Sequence, residues 1–190
     1  MDVKAKLEAE VVALYEVHAS ELTRYAAGLA HSEDLASDAV QETFLRYFVE
    51  RSYGRLVESP RAWLYQVLRH YLFDRMNSAS ATREVGHDDL SGLSDPGHGP
   101  EDLVRRSEIA REVASTLSVR ERECLGLRSE GFAYGEIADI LGLRIGTVGA
   151  LLARAHKKVR DAAAKAEAHD DLVAGAVQYL FHAGGACPST

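Results

Sequence analysis

Apolar residues recur at three- and four-residue intervals along most of this chain, and the rhythm stops once, between Asn77 and Glu101. That spacing is the period of a helix with one buried face, so it restricts the chain to helices packed in two groups. In the first group, Leu7, Val11, Leu14, Tyr15, His18, Leu22 and Tyr25 predict a helix over about residues 4–28. Ser32, followed by Glu33 and Asp34, is placed to cap a second helix carrying Leu35, Ala39, Val40, Phe44, Leu45 and Phe48. Ser59-Pro60 opens a third, with Trp63, Leu64, Val67, Leu68, Tyr71 and Leu72 on its apolar face.

The interruption is rich in Ser, Gly, Asp and Pro, and reads as a flexible acidic linker over residues 78–101. Helices resume with residues 102–116. Ser118 and Glu121 have capping-box spacing for a further helix that Gly131 ends, and two more are expected over 134–141 and 146–167. The expected organisation is therefore all-α. Two small helical domains, residues 1–77 and 102–168, flank the linker, and residues 169–190 form a C-terminal extension. In that extension Leu172, Val173, Ala176, Val177 and Leu180 suggest a short amphipathic helix.

Charge divides the same way. Residues 1–104 carry 10 Lys+Arg against 18 Asp+Glu (net -8), whereas residues 105–165 carry 12 against 8 (net +4). An acidic front suits a protein partner and a basic back suits nucleic acid. No apolar run approaches the roughly 20 residues of a membrane span, and MDVKAKLEAE lacks the apolar stretch of a signal peptide, so a cytoplasmic protein is expected.

The segment YGEIADILGLRIGTVGALLARAHKK has the spacing of a helix-turn-helix. Ala138 is the small residue at the helix crossing, Gly142 the turn residue and Val148 the anchor of the second helix, with Ile137, Leu141, Leu143 and Leu151 inward. Such a second helix enters a major groove with its early residues toward bases. Arg154, Lys157, Lys158 and Arg160 follow as a cluster suited to phosphates.

These residues resemble a known family. Leu117–Glu123, Tyr134–Ala138 and Gly146–Val148 are similar to the promoter-binding C-terminal domain of bacterial RNA polymerase sigma factors. Asp38–Leu45 resembles the sigma segment that docks on the polymerase clamp, and Pro60–Tyr65 with Asp74-Arg75 resembles the helix that opens the −10 element. Two such domains on a short linker resemble the extracytoplasmic-function (ECF) group of the sigma-70 family, over about residues 8–165.

The resemblance implies a factor that binds core RNA polymerase and directs promoter recognition, DNA melting and transcription initiation. It also implies restraint by an anti-sigma factor or other regulator. Polymerase contacts fall on Asp38, Gln41, Glu42, Phe44 and Leu45. Melting needs aromatic rings to stack on unpaired bases and cations for the displaced strand. Eight of the fourteen aromatics lie within residues 44–73, interleaved with Arg51, Arg55, Arg61, Arg69 and Arg75. The −10 set is Tyr53, Arg55, Arg61, Trp63, Arg69, Asp74 and Arg75, although Trp63 sits on its helix's apolar face. By position, the base-capturing loop of the family is Arg51–Leu56, with Tyr53 and Arg55 at the pocket.

The chain departs from the family pattern twice. Met76 and Asn77 stand where further arginines are usual, and Gly149-Ala150-Leu151 where Lys-Ser-Arg is common. The −35 element is thus left to Arg144, Thr147, Arg154, Lys157 and Lys158, with Gly149 and Ala150 allowing close backbone approach to DNA.

Other chemistry is not expected. His169, His182 and Cys187 have no zinc-ligand spacing and no fourth ligand. Cys124 beside Leu125 reads as core, as does His18, while His87 and His98 fall in the linker. No Gly-rich phosphate loop, no nucleophile elbow and no paired carboxylates in a plausible cleft occur, so neither catalysis nor a cofactor or metal is expected. The competing reading is a free-standing helix-turn-helix regulator whose front bundle senses a signal or dimerises. An adaptor that uses the helix pair only for protein contact is a third. The aromatic and arginine mixture over residues 44–75 favours the sigma reading, since neither rival needs it.

Overall fold

The computed structural model describes residues 3–30, 32–80 and 112–165. Every element among them is a helix: α1 (Val3–Ala30), α2 (Glu33–Ser52), α3 (Pro60–Ser80), α4 (Val119–Ser129), α5 (Tyr134–Leu141) and α6 (Ile145–Lys165). Residues 112–116 are helical as well. The chain divides into two compact units, Met1–Asp88 and Asp89–Thr190. Residues 78–80, expected in the linker, instead extend α3, with Ser78 Oγ donating to Asp74 O at 2.8 Å. The rest of the expected linker, the helix expected before residue 112 and the extension 169–190 lie outside the described residues.

Unit one is a three-helix bundle. Ser32 caps α2 by accepting from Leu35 N at 3.3 Å, and Pro60 is the first helical residue of α3. Leu22, Tyr25, Ala39, Val40, Phe44, Tyr47, Leu64, Tyr65, Leu68 and Leu72 form the core. Periodicity misassigns several positions, among them Tyr65, fully buried though off the expected face of α3. Leu45 is 62% exposed, while Thr43 and Tyr47 are buried in its stead. Thr43 tolerates burial because its hydroxyl donates to Ala39 O at 2.7 Å. Tyr15 is half-exposed although its ring packs edge-on against Phe44 at 5.0 Å. Complete burial on α1 begins at Leu22, where α3 also arrives through Arg61–Glu21 and Tyr65–Tyr25.

A polar clamp closes the other end of the α1–α2 contact. The Tyr47 hydroxyl donates to Glu10 Oε1 at 2.7 Å, and Arg51 donates from Nε to Oε1 at 2.9 Å and from Nη2 to Oε2 at 3.1 Å. Hydrogen bonds from Arg51 and then Tyr47 hold the Glu10 carboxyl below the usual carboxylate range. Burial, followed by the bond to Glu10, pushes the Tyr47 phenol up to about 12.

In unit two, Ser118 and Glu121 form the expected capping box on α4, bonding at 2.8 and 3.3 Å. α5 starts without a side-chain cap at Ala133, whose N–H donates to Glu136 Oε2 at 2.8 Å. Gly142 takes the left-handed conformation (φ 63°, ψ 39°), and Leu143 N–H returns to Ala138 O at 2.9 Å, which turns the chain into α6. Ile137, Ala138, Leu141, Val148, Leu151 and Leu152 are buried along the α5–α6 crossing, as the helix-turn-helix spacing requires, whereas Leu143 is only half-buried.

Two glycines seven residues apart should respond oppositely to alanine. Gly142→Ala forces a Cβ into a left-handed residue and should cost about 1 kcal/mol. Gly149→Ala lies inside α6, where the new Cβ meets only the Tyr134 ring at 4.0 Å, and should stabilise by about 0.5–1 kcal/mol. Thermal melting followed by circular dichroism reads both.

The clamp should shape stability at both ends of the pH range. Glu10 titrates below its ordinary 4.5, so its contribution is present above that value and lost as pH falls through the lowered one. Tyr47 is raised from 10.0 to about 12, so its contribution is complete below the first value and lost as pH climbs toward the second. Urea unfolding, read by the fluorescence of Trp63, the chain's one tryptophan, should show a flatter acid limb in Glu10→Gln and a flatter alkaline limb in Tyr47→Phe.

Candidate functional site

In unit one, α2 presents Asp38 and Gln41 to solvent, with Glu42 half-exposed and paired to Arg46 at 2.8 Å. Leu45 stands beside them, but Phe44 is 5% exposed and belongs to the core. The expected polymerase-facing set therefore loses Phe44, and Val49, 47% exposed, continues the apolar stripe one turn further. Glu42, Leu45, Arg46 and Val49 of this stretch line an open groove of about 370 Å³ between α2 and α3, completed by Glu50, Trp63, Val67 and His70. Trp63 is half-buried, edge-on to Tyr47 at 5.5 Å, and so serves the bundle and the groove at once.

The α2–α3 connection carries the exposed Tyr53, with Arg55 bonded to the Glu50 carboxylate at 2.8 and 2.9 Å. Gly54 takes φ 76°, and this left-handed residue lets the chain reverse. Along α3, arginines sit over rings: Arg61 over Tyr65 at 5.9 Å, Arg69 over Phe73 at 5.1 Å and Arg75 over Tyr71 at 5.7 Å. Arg46 of α2 also approaches Tyr71, at 5.5 Å. Arg61 is further committed to Glu21 at 3.3 Å, while Asp74 is exposed. Tyr65 is fully buried, so the Arg61 pair serves the core, whereas Tyr71 and Phe73 are half-buried and keep some aromatic surface beside positive charge.

In unit two, Arg144, Thr147, Ala150, Arg154 and Lys157 are exposed, and from Thr147 onward they share one face of α6 at helical spacing. Gly149 is turned toward Tyr134 and only partly open. Lys158 departs from its expected phosphate role. Its ammonium donates to Glu121 Oε2 at 2.7 Å and to Thr116 O at 2.8 Å, which fastens α6 to α4. The Glu121 side chain is 5% exposed; burial pushes its pKa up, yet Lys158 and Ser118 more than offset that and hold it below the ordinary range. Arg154 Nε lies 4.0 Å from the same carboxylate but stays 63% exposed, so it remains available to an anion.

The clamp residues Glu10, Tyr47 and Arg51 were not singled out by sequence as a network, because the partners lie 37 and 41 residues apart. Capping-box spacing revealed Glu121, but nothing marked Lys158 as its partner. Cys124 is fully buried, and burial pushes its thiol up to about 11, as fits a core residue. His18 is half-buried and bonds Glu21 at 3.4 Å. Among the described residues no group of His, Cys, Asp and Glu is placed to hold a metal ion, and no helix is long and apolar enough to cross a membrane. His87, His98, His169, His182 and Cys187 lie outside the described residues.

Comparison with known proteins matches both units. Residues 14–82 match the family Sigma-70 region 2 and residues 107–159 match Sigma-70, region 4. The chain is 34% identical over 153 residues to the ECF RNA polymerase sigma factor SigL of Mycobacterium tuberculosis, which covers 78% of this chain and 85% of SigL. It is 24% identical over 150 residues to SigM of Bacillus subtilis, covering 77% and 91%. Among solved structures, the sigma factor RpoE in complex with the anti-sigma factor NepR, from Bartonella quintana, has a similar fold. The TM-score is 0.65 at 22% identity, covering 83% of this chain and 96% of that one. With both regions matched in order and a relative of this identity spanning most of each chain, the protein belongs to the ECF group of sigma-70 family RNA polymerase sigma factors.

Proposed function

We infer that this chain docks on core RNA polymerase through α2 and the adjoining groove, opens the promoter with unit one, and holds upstream DNA with α6 of unit two. The observation that carries the reading is the pairing of two unlike surfaces on one chain. One is an acidic-apolar stripe, Asp38, Gln41, Glu42, Leu45 and Val49, beside an exposed aromatic and basic loop. The other is a helix-turn-helix that exposes Arg144 just before its second helix and Thr147, Arg154 and Lys157 along it. A sensing or dimerising bundle would have no use for Tyr53 in solvent at the tip of a loop. The −10 contacts are assigned to Tyr53, Arg55, Arg69, Asp74 and Arg75, and the −35 contacts to Arg144, Thr147, Ala150, Arg154 and Lys157. The chain makes and breaks no bonds; it positions polymerase and captures DNA strands in the cytoplasm. The complex of its structural relative with NepR supports a regulator of the anti-sigma class for this chain as well.

Charge reversal at exposed Asp38 and half-exposed Glu42, Asp38→Lys with Glu42→Lys, should abolish binding to core polymerase in a pull-down while the helical spectrum is retained. Unchanged binding overturns the polymerase assignment.

Lys157 and Lys158 should behave as opposites despite adjacency. In promoter binding by the assembled holoenzyme, Lys157→Ala should weaken all sequences alike and reduce the salt slope by about one unit. Lys158→Ala should leave the slope intact and lower thermal stability by about 1–2 kcal/mol, because it removes the 2.7 Å bond to the buried Glu121 and leaves only the looser Arg154 contact at 4.0 Å.

A further inference from the structure

The tip of the α2–α3 loop is held from behind. Arg51 gives Nε and Nη2 to Glu10 of α1, at 2.9 and 3.1 Å, and its remaining Nη1 to the Arg55 carbonyl at 2.9 Å. A guanidinium is a rigid planar fork, so docking two of its nitrogens on Glu10 fixes where the third points. The tip is also tied through its own backbone, Gly54 N–H to Arg51 O at 3.0 Å and Arg55 N–H to Glu50 O at 3.2 Å. From this fastened turn Tyr53 projects 76% exposed and Leu56 79% exposed. Large apolar side chains held in water on a well-tied loop are a presented surface, since a frayed loop would have no such set of backbone bonds.

We propose that Glu10 and Arg51 are positioning residues for base capture. They set the Tyr53–Arg55 tip, before DNA arrives, in the shape that receives one unpaired promoter base. The proposal deepens the assignment of this loop to the −10 element and rests on it. Neither residue touches the base; both act through the Arg55 carbonyl. A tip shaped in advance avoids the cost of ordering on binding, and a small misplacement of the stacking ring forfeits the contact.

The test uses holoenzyme assembled with the full chain, on promoters carrying an abasic site at each non-template position of the −10 element in turn. Arg51→Lys keeps a cation on Glu10 but lacks the fork that also reaches Arg55; Glu10→Gln keeps the size and removes the charge. Tyr53→Ala tests the loop itself. Wild type should lose initiation at one abasic position, and Tyr53→Ala should be indifferent to that position. On the intact promoter Arg51→Lys and Glu10→Gln should initiate about tenfold more slowly, and at the abasic position they should match wild type. Equal losses on intact and abasic templates would mean a purely structural role and overturn the proposal. So would wild-type behaviour of both variants, provided Tyr53→Ala is indifferent as expected. If Tyr53→Ala remains as sensitive as wild type at every position, the assignment of the loop falls, and the proposal with it.

Discussion

Each unit of this protein is fastened at one carboxylate that gathers donors, among them a cation from a distant part of the chain, partly exposed in Glu10 and buried in Glu121. In unit one Glu10 accepts from Tyr47 and Arg51; in unit two Glu121 accepts from Ser118 and Lys158. Both join segments far apart in sequence and add a directional bond to the apolar packing. Such a bond is hardest to break where the carboxylate is buried, because an unmatched buried charge costs several times what a matched one contributes. The pKa of each carboxyl lies below the ordinary range, so the ionised form is favoured in both folds.

These fastenings also sort cations into those that hold the fold and those left for a ligand. Arg51, Arg61 and Lys158 are committed to Glu10, Glu21 and Glu121. Lys157, one residue from Lys158, is exposed, and Arg154 stays largely open. The basic face of α6 is therefore narrower than its charge count implies. It runs from Arg144, just before α6, through Thr147, Ala150, Arg154 and Lys157 to the exposed Arg160. In unit one the same sorting leaves the apolar stripe Leu45–Val49 exposed next to acidic residues, the mixture suited to a protein partner.

How much was legible in advance depended on the range of the interaction. The Ser32 and Ser118 caps, the Pro60 start and the left-handed Gly142 were all readable, since each is a contact within a few residues. So were the helix-turn-helix spacing and the resemblance built on it, which carried the family. The fate of adjacent residues was not. Phe44 and Leu45 both fit the apolar rhythm of α2, yet one is 5% and the other 62% exposed. Lys157 and Lys158 form one basic cluster in sequence, yet one faces solvent and the other grips Glu121.

The sequence by itself determined the helices, the Ser32 and Ser118 caps, the division of charge and the family. These follow from period, capping chemistry, composition and motif spacing, which are local properties. Tertiary structure alone decided which side chains of each helix face inward, because that depends on how neighbouring helices are rotated. It made Trp63 a wall of a groove as well as a core residue, and Tyr47 a buried donor. It also brought Glu10 forty-one residues along the chain to Arg51, behind the loop that displays Tyr53. Contacts of that span leave no trace in a local pattern, since helical periodicity fixes one face of each helix and says nothing of what will cover it.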